Sequence, residues 1–214
     1  MKPVLVFDYD GTLHDTIRIY EKSFRKVFKW LVAEKYVTDE EIPVERIKSW
    51  LGMNSRDMWE SFKPDLPVHI REAASDGVGR HMAELIRRNK AQWYPGVEDT
   101  LNDLKNKGYR MILLSNCKSA YRDVNWKTFS MNRWFEEFYD CESYGFAPKT
   151  EIIKIIEKNY DTPITVIGDR KTDIDCARAI KGGSVGCLYG FGTEEELQDA
   201  DILINDIREL KYIF

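Results

Sequence analysis

The sequence predicts an α/β fold, a Rossmann-like, doubly wound parallel sheet with an α-helical cap domain inserted after the first strand. Three observations predict it. The apolar run Val4-Leu5-Val6-Phe7 ends in Asp8-Tyr9-Asp10-Gly11-Thr12-Leu13, which puts two carboxylates and a glycine turn where a buried strand meets its loop. From about residue 94 onward, strand-like runs alternate with helical patterns, and parallel strands need such crossover connections. Between these two regions lies a long stretch with helical spacing and no strand-like run.

Taken in order, residues 4–7 form the first strand. Side chains alternate along a strand, so Asp8 and Asp10 are expected on one side and Tyr9 on the other. Residues 16–35 carry Ile17, Tyr20, Phe24, Val27, Phe28 and Leu31 at mainly helical spacing. Further helical patterns follow near 44–51, 56–62 and 69–88, separated by Pro43, Gly52-Met53-Asn54-Ser55 and Pro64 to Pro67. The expected division is a core of residues 1–14 and 90–214 and a cap of residues 15–89, with hinges near Leu13 to Thr16 and Asn89 to Tyr94. After Tyr94-Pro95-Gly96 the pattern predicts a helix at 97–107 and a strand ending at Leu114-Ser115. Later strands are expected near Phe138 to Cys141, Ile164 to Ile167, Ser184 to Leu188 and Asp201 to Ile204.

Composition narrows the function. The 214 residues are 43% hydrophobic and 32% charged, with a formal net charge of -4, so no basic field for nucleic acid is present. No apolar run approaches the roughly 20 residues of a membrane helix and no signal peptide precedes the first strand, which predicts a cytoplasmic protein. Oligomeric state is left open. Cys117, Cys141, Cys176 and Cys187 are widely spaced without a Cys-x-x-Cys pair, which reads as reduced, mostly buried thiols rather than zinc ligands. Cys117 follows a candidate site segment and is the one that could meet an oxidant. The cap aromatics Phe24, Phe28, Trp30, Trp50, Trp59 and Phe62 read as core in preference to a stacking platform.

Three later segments sit, like the first, at strand ends. Ser115-Asn116 offers a hydroxyl and an amide to an oxyanion, although Ser-Asn is also a common turn. Lys149 precedes a helix expected from Thr150 to Tyr160; it is either a solvated helix-start residue or a neutralising charge beside a phosphate. Ile167-Gly168-Asp169-Arg170-Lys171-Thr172-Asp173 again runs a strand into a glycine turn with two acids, which either favour the helix dipole or join Asp8 and Asp10 in a hard, oxygen-rich site suited to Mg²⁺.

The ordered set Asp8-Tyr9-Asp10-Gly11-Thr12, Ser115-Asn116, Lys149 and Gly168-Asp169 to Asp173 resembles the haloacid dehalogenase-like superfamily over nearly the whole chain. The helical insertion and the tail Tyr189-Gly190-Phe191-Gly192-Thr193-Glu194-Glu195-Glu196-Leu197 are similar to its phosphoglycolate phosphatase-like branch. The resemblance implies that Asp8 attacks phosphorus to form an aspartyl-phosphate, while Asp10 protonates the leaving oxygen and then activates water. It implies further that Asp8, the backbone carbonyl of Asp10 and Asp169 hold Mg²⁺, that Asp173 orients that shell, and that Ser115, Asn116 and Lys149 bind the phosphate. The family often places proline after its lysine, whereas here the order is Pro148-Lys149-Thr150, so Lys118 and Lys171 stay as weaker candidates. His14 stands where the family more often has a small or apolar residue, either as a polar contact at the cap hinge or as a histidine without a role.

By the same resemblance, Asp10 favours phosphoryl chemistry over dehalogenation, because a leaving halide needs no proton. The expected enzyme is a Mg²⁺-dependent phosphatase acting on a small phosphorylated metabolite. The alternatives are a phosphoglucomutase-like phosphotransferase and a non-catalytic phosphate-sensing module. In the cap, Leu51-Gly52-Met53-Asn54-Ser55-Arg56 resembles a substrate-facing loop, with Arg56 either a contact to a substrate carboxylate or hydroxyl or an unpaired surface residue. Phosphoglycolate, sugar phosphates and nucleoside monophosphates are all compatible with the sequence.

Overall fold

A computed structural model describes residues 2–214. Alternation of apolar side chains governs the sheet. In β1 (Val4–Phe7) Leu5 and Phe7 enter one apolar layer while Val4 and Val6 enter the other, so both faces of the strand are buried. The helices α1 (Ile17–Ala33), α2 (Val44–Ser49), α3 (Ser55–Phe62) and α4 (Val68–Arg87) follow in succession with no strand between them. Asn54 starts α3 by accepting hydrogen bonds from the backbone N–H groups of Arg56 and Asp57, each at 3.0 Å. Phe24, Trp50, Trp59 and Phe62 pack ring against ring with centroids 4.9 to 6.0 Å apart, and all four are buried. They form the core of the helical insertion, as expected; Trp30 alone of the cap aromatics named from sequence is exposed.

The chain then alternates. α5 (Val97–Asn106) leads to β2 (Met111–Ser115), and α6 (Ser119–Thr128) to β3 (Phe138–Asp140). α7 (Lys149–Glu157) leads to β4 (Ile164–Gly168), and α8 (Lys171–Ala179) to β5 (Gly183–Cys187). α9 (Glu194–Leu197), β6 (Ile202–Ile204) and α10 (Leu210–Ile213) complete the chain. Lys149 is itself the first residue of α7, one position earlier than the sequence pattern indicates. All strand pairs are parallel, in the order β3-β2-β1-β4-β5-β6, with Leu5 opposite Met111 on one side of β1 and Val4 opposite Ile164 on the other. Strand order reverses at β1 and β4, so the crevice beyond their carboxyl ends is the open position of the sheet.

The two connections between helical insertion and sheet run side by side. The N–H of Asp15 donates to the Gln92 carbonyl at 3.0 Å, and that of Tyr94 to the Leu13 carbonyl at 2.8 Å. Among the described residues no helix is long and apolar enough to cross a membrane. All four cysteines are free and buried, in line with the reading of mostly buried thiols, and burial, with Asp10 and Asp140 nearby, pushes the Cys117 thiol well up.

Candidate active site

β1 and β4 deliver their acids to the same crevice. Asp8 follows β1 and Asp169 follows β4, while α8 brings in Asp173 from its first turn. One carboxylate oxygen from each of the three lies within 4.8 Å of the others, and all three residues are buried. The Asp173 carboxylate accepts from the Arg170 backbone N–H at 3.1 Å, which fixes it at the helix start. The Asp8 carboxylate accepts from the backbone N–H of Tyr9 at 2.7 Å.

Asp169 sits in a fitted recess. Its carboxylate accepts from the Thr12 hydroxyl at 3.0 Å and from the Phe191 N–H at 2.7 Å. A Cβ on Gly190 would come within 2.3 Å of the Asp169 side chain, so a side chain there would displace the acid. The tail segment noted in the sequence for its similarity thus forms the wall that aims Asp169.

Lys149 enters from α7 and is as buried as the acids. Its ammonium lies 2.8 Å from both Asp8 Oδ1 and Asp173 Oδ1. These partners hold its proton and raise its pKa despite burial. Of the three lysines weighed from sequence, only Lys149 reaches the acids: Lys118 pairs with Asp76 at 2.8 Å and Lys171 with Asp175 at 3.0 Å. One lysine leaves the acid cluster under-neutralised. Burial, then the Asp173 charge, push the Asp8 carboxyl well above the usual carboxylate range, and the same two causes push Asp169 up to about 7. Hard oxygen donors carrying unbalanced negative charge fit a divalent cation.

Asp10 is held apart from that cluster, and the structure shows what holds it. Its carboxylate accepts from the Thr16 hydroxyl at 2.5 Å and from the Tyr121 hydroxyl at 2.7 Å. His14, fully buried, places Nδ1 2.9 Å from the Tyr121 hydroxyl and 3.0 Å from that of Thr16. Because both hydroxyl protons are directed at Asp10, Nδ1 must carry a proton to donate; in the neutral ring Nε2, which has no partner, is then bare. Tyr9 stacks on the His14 ring at 5.2 Å, and its hydroxyl donates to Asn125 Oδ1 at 2.8 Å. Thr16 lies at the cap hinge, but Tyr121 is 111 residues from Asp10, and nothing local in the sequence marks it.

Ser115 ends β2 and is buried at the same edge of the sheet. The Asn116 side-chain amide donates to the Gly52 carbonyl at 2.8 Å, so it bridges the end of β2 and the helical insertion. Arg170 makes a second bridge, from Nη1 to the Leu51 carbonyl at 2.7 Å, while Glu196 holds its Nε at 3.0 Å. Arg56 is not brought to the acids. It is exposed, with its guanidinium 4.0 Å from the centre of the Phe146 ring, and lines a neighbouring groove rather than the cavity beside Asp10.

Known proteins share this arrangement of chain. The chain is 22% identical over 210 residues to the phosphoglycolate phosphatase of Psychrobacter arcticus, covering 92% of this chain and 88% of that protein. It is 23% identical over 195 residues to the phosphoglycolate phosphatase of Aquifex aeolicus, covering 88% and 85%. Among solved structures, a predicted phosphatase from Clostridium acetobutylicum superposes with a TM-score of 0.83 at 20% identity, covering 100% of this chain and 98% of that one. The β-phosphoglucomutase of Clostridium difficile gives 0.77 at 21%, covering 100% and 96%. These structural likenesses show the fold. The family model for haloacid dehalogenase-like hydrolases matches residues 5–186, a span that begins in β1 and takes in both acid-bearing strand ends, and on that match the chain belongs to the haloacid dehalogenase-like hydrolases.

Proposed function

We propose that this protein is a Mg²⁺-dependent phosphatase that hydrolyses a small phosphomonoester through an aspartyl-phosphate on Asp8. The observation that carries this reading is the buried ion pair of Asp8 with Lys149 at 2.8 Å, at the carboxyl end of β1 and beside Asp169 and Asp173. A carboxylate is an adequate nucleophile toward a phosphate dianion only where both negative charges are offset. Lys149 offsets part of that charge. Asp8, the backbone carbonyl of Asp10 and Asp169 would hold the cation, with Asp173 orienting the shell, and the bound Mg²⁺ would supply the remaining positive charge beside the phosphoryl group.

Asp8 attacks phosphorus, and the bond from phosphorus to the ester oxygen breaks. Asp10, held by Thr16 and Tyr121, gives its proton to that leaving oxygen, then takes one from the water that hydrolyses the aspartyl-phosphate. Ser115 and Asn116 donate to the nonbridging oxygens, the Asn116 amide through the N–H that its bond to the Gly52 carbonyl leaves over. Residues 15–89 act as the cap that covers this site, with residues 1–14 and 90–214 as its core.

Phosphate release from a panel of phosphomonoesters, with and without Mg²⁺, tests the reading. The native protein is expected to turn over at least one ester class, and Asp8→Asn to lower kcat by at least about 10³-fold. Isomerisation of a phosphohexose without phosphate release would favour the phosphotransferase, and inert behaviour in both assays would refute an enzyme.

A further inference from the structure

The cavity beside Asp10 has a composition that selects among phosphomonoesters. It lies between the cap helices and the strand-end loops, is open to solvent on one side, and is walled by Trp50, Met53, Met58, Trp59, Val78 and Met82. Among the described residues its only charged lining residues are Asp10 and Lys118. Lys118 is already paired with Asp76 at 2.8 Å. Arginines beside the wall are also committed, Arg170 to the Leu51 carbonyl and Glu196, Arg56 to the Phe146 ring and Arg71 to Glu60. An anionic group on the leaving alcohol would therefore leave water for an apolar wall with no free cation, facing the Asp10 carboxyl.

Resting on the phosphatase reading, we infer that the leaving alcohol of the substrate is uncharged and largely apolar, and that esters carrying a second anion, phosphoglycolate included, are poor substrates. The phosphate binds over the acids and Lys149, while the cap cavity receives the apolar body; selection comes from the absence of a counter-charge as much as from apolar contact.

The test compares kcat/KM in the presence of Mg²⁺ for phosphoglycolate, propyl phosphate and benzyl phosphate. The native protein is expected to prefer at least one of the two neutral esters over phosphoglycolate by at least about tenfold. Ser75→Arg places a cation at a half-buried position of the wall on α4 and is expected to raise kcat/KM for phosphoglycolate by about tenfold while lowering it for benzyl phosphate. Met53→Arg, on an exposed part of the cap loop, makes the same test without disturbing a helix. Phosphoglycolate cleaved as well as the neutral esters by the native protein would overturn the inference and leave the phosphatase intact. Unchanged preference in both folded variants would also overturn it. Failure to cleave any ester would overturn the phosphatase reading and this inference with it.

Discussion

Around Asp10, three side chains from two parts of the chain converge on one carboxylate. Thr16 and Tyr121 donate to it, and His14 holds both hydroxyls in the orientation that lets them do so. A general acid and base must return to one position after each proton transfer, and two fixed donors accomplish that. Tyr121→Phe removes one donor with little change in volume and is expected to lower kcat about tenfold with KM within about twofold, read from steady-state kinetics. Asp169 makes the second prediction at this scale. Its carboxyl is pushed up to about 7, against about 3.9 in an unfolded chain, first by burial and then by Asp173. The folded protein keeps this proton where the unfolded chain has lost it, so the contribution favours folding at acid pH and falls away as pH rises from about 4 to about 7. Metal must displace that proton. Affinity for Mg²⁺, followed by calorimetry, is therefore expected to increase about tenfold per pH unit for each proton displaced and to level off above about 7, while the Tm of the metal-free protein falls over the same interval. An affinity independent of pH between 5.5 and 7.5 would contradict it.

At the scale of elements, the ends of β1 and β4 carry the acids because the sheet reverses order there, and α7 and α8 direct their first turns at the same point. The cap loop meets this edge through backbone carbonyls: Leu51 accepts from Arg170 and Gly52 from Asn116. Gly52 has φ +94°, and a Cβ there would lie 2.9 Å from Arg170 Cγ. Both effects oppose any other residue. Gly52→Ala is expected to cost about 1–2 kcal/mol of stability, measured by urea unfolding, and to raise KM by loosening the loop over the site. The paired segments, Asp15 to Gln92 and Tyr94 to Leu13, place the two connections between sheet and helical insertion next to each other.

Across the whole molecule, two apolar layers flank the sheet, and one of them continues into the aromatic core of the helical insertion. Each buried Phe or Trp there contributes about 1.5–3 kcal/mol from burial, which makes the insertion a rigid wall rather than a loose loop. The same layers enclose every cysteine, so burial pushes the thiols of Cys117, Cys176 and Cys187 up, and that of Cys141 to about 12. The acid cluster is buried as well, and among the described residues the cavity beside Asp10 adds no unpaired cation.

Local signals along the chain, period-2 and period-3.6 patterns and polar residues at strand ends, carried the α/β class, the order of strands and helices, the helical insertion and the strand-end placement of Asp8, Asp10, Ser115 and Asp169. Tertiary structure decided what no local signal carries. It chose Lys149 over Lys118 and Lys171, since only the start of α7 reaches Asp8. It brought Tyr121 to Asp10 across 111 residues, and Gly190 and Phe191 to Asp169 across more than twenty. It turned Arg56 onto Phe146 and left the cavity beside Asp10 without an unpaired cation. The physical reason is common to all of these: charge pairing and cavity shape depend on which elements meet in space, and that meeting is set by the burial of the whole chain at once.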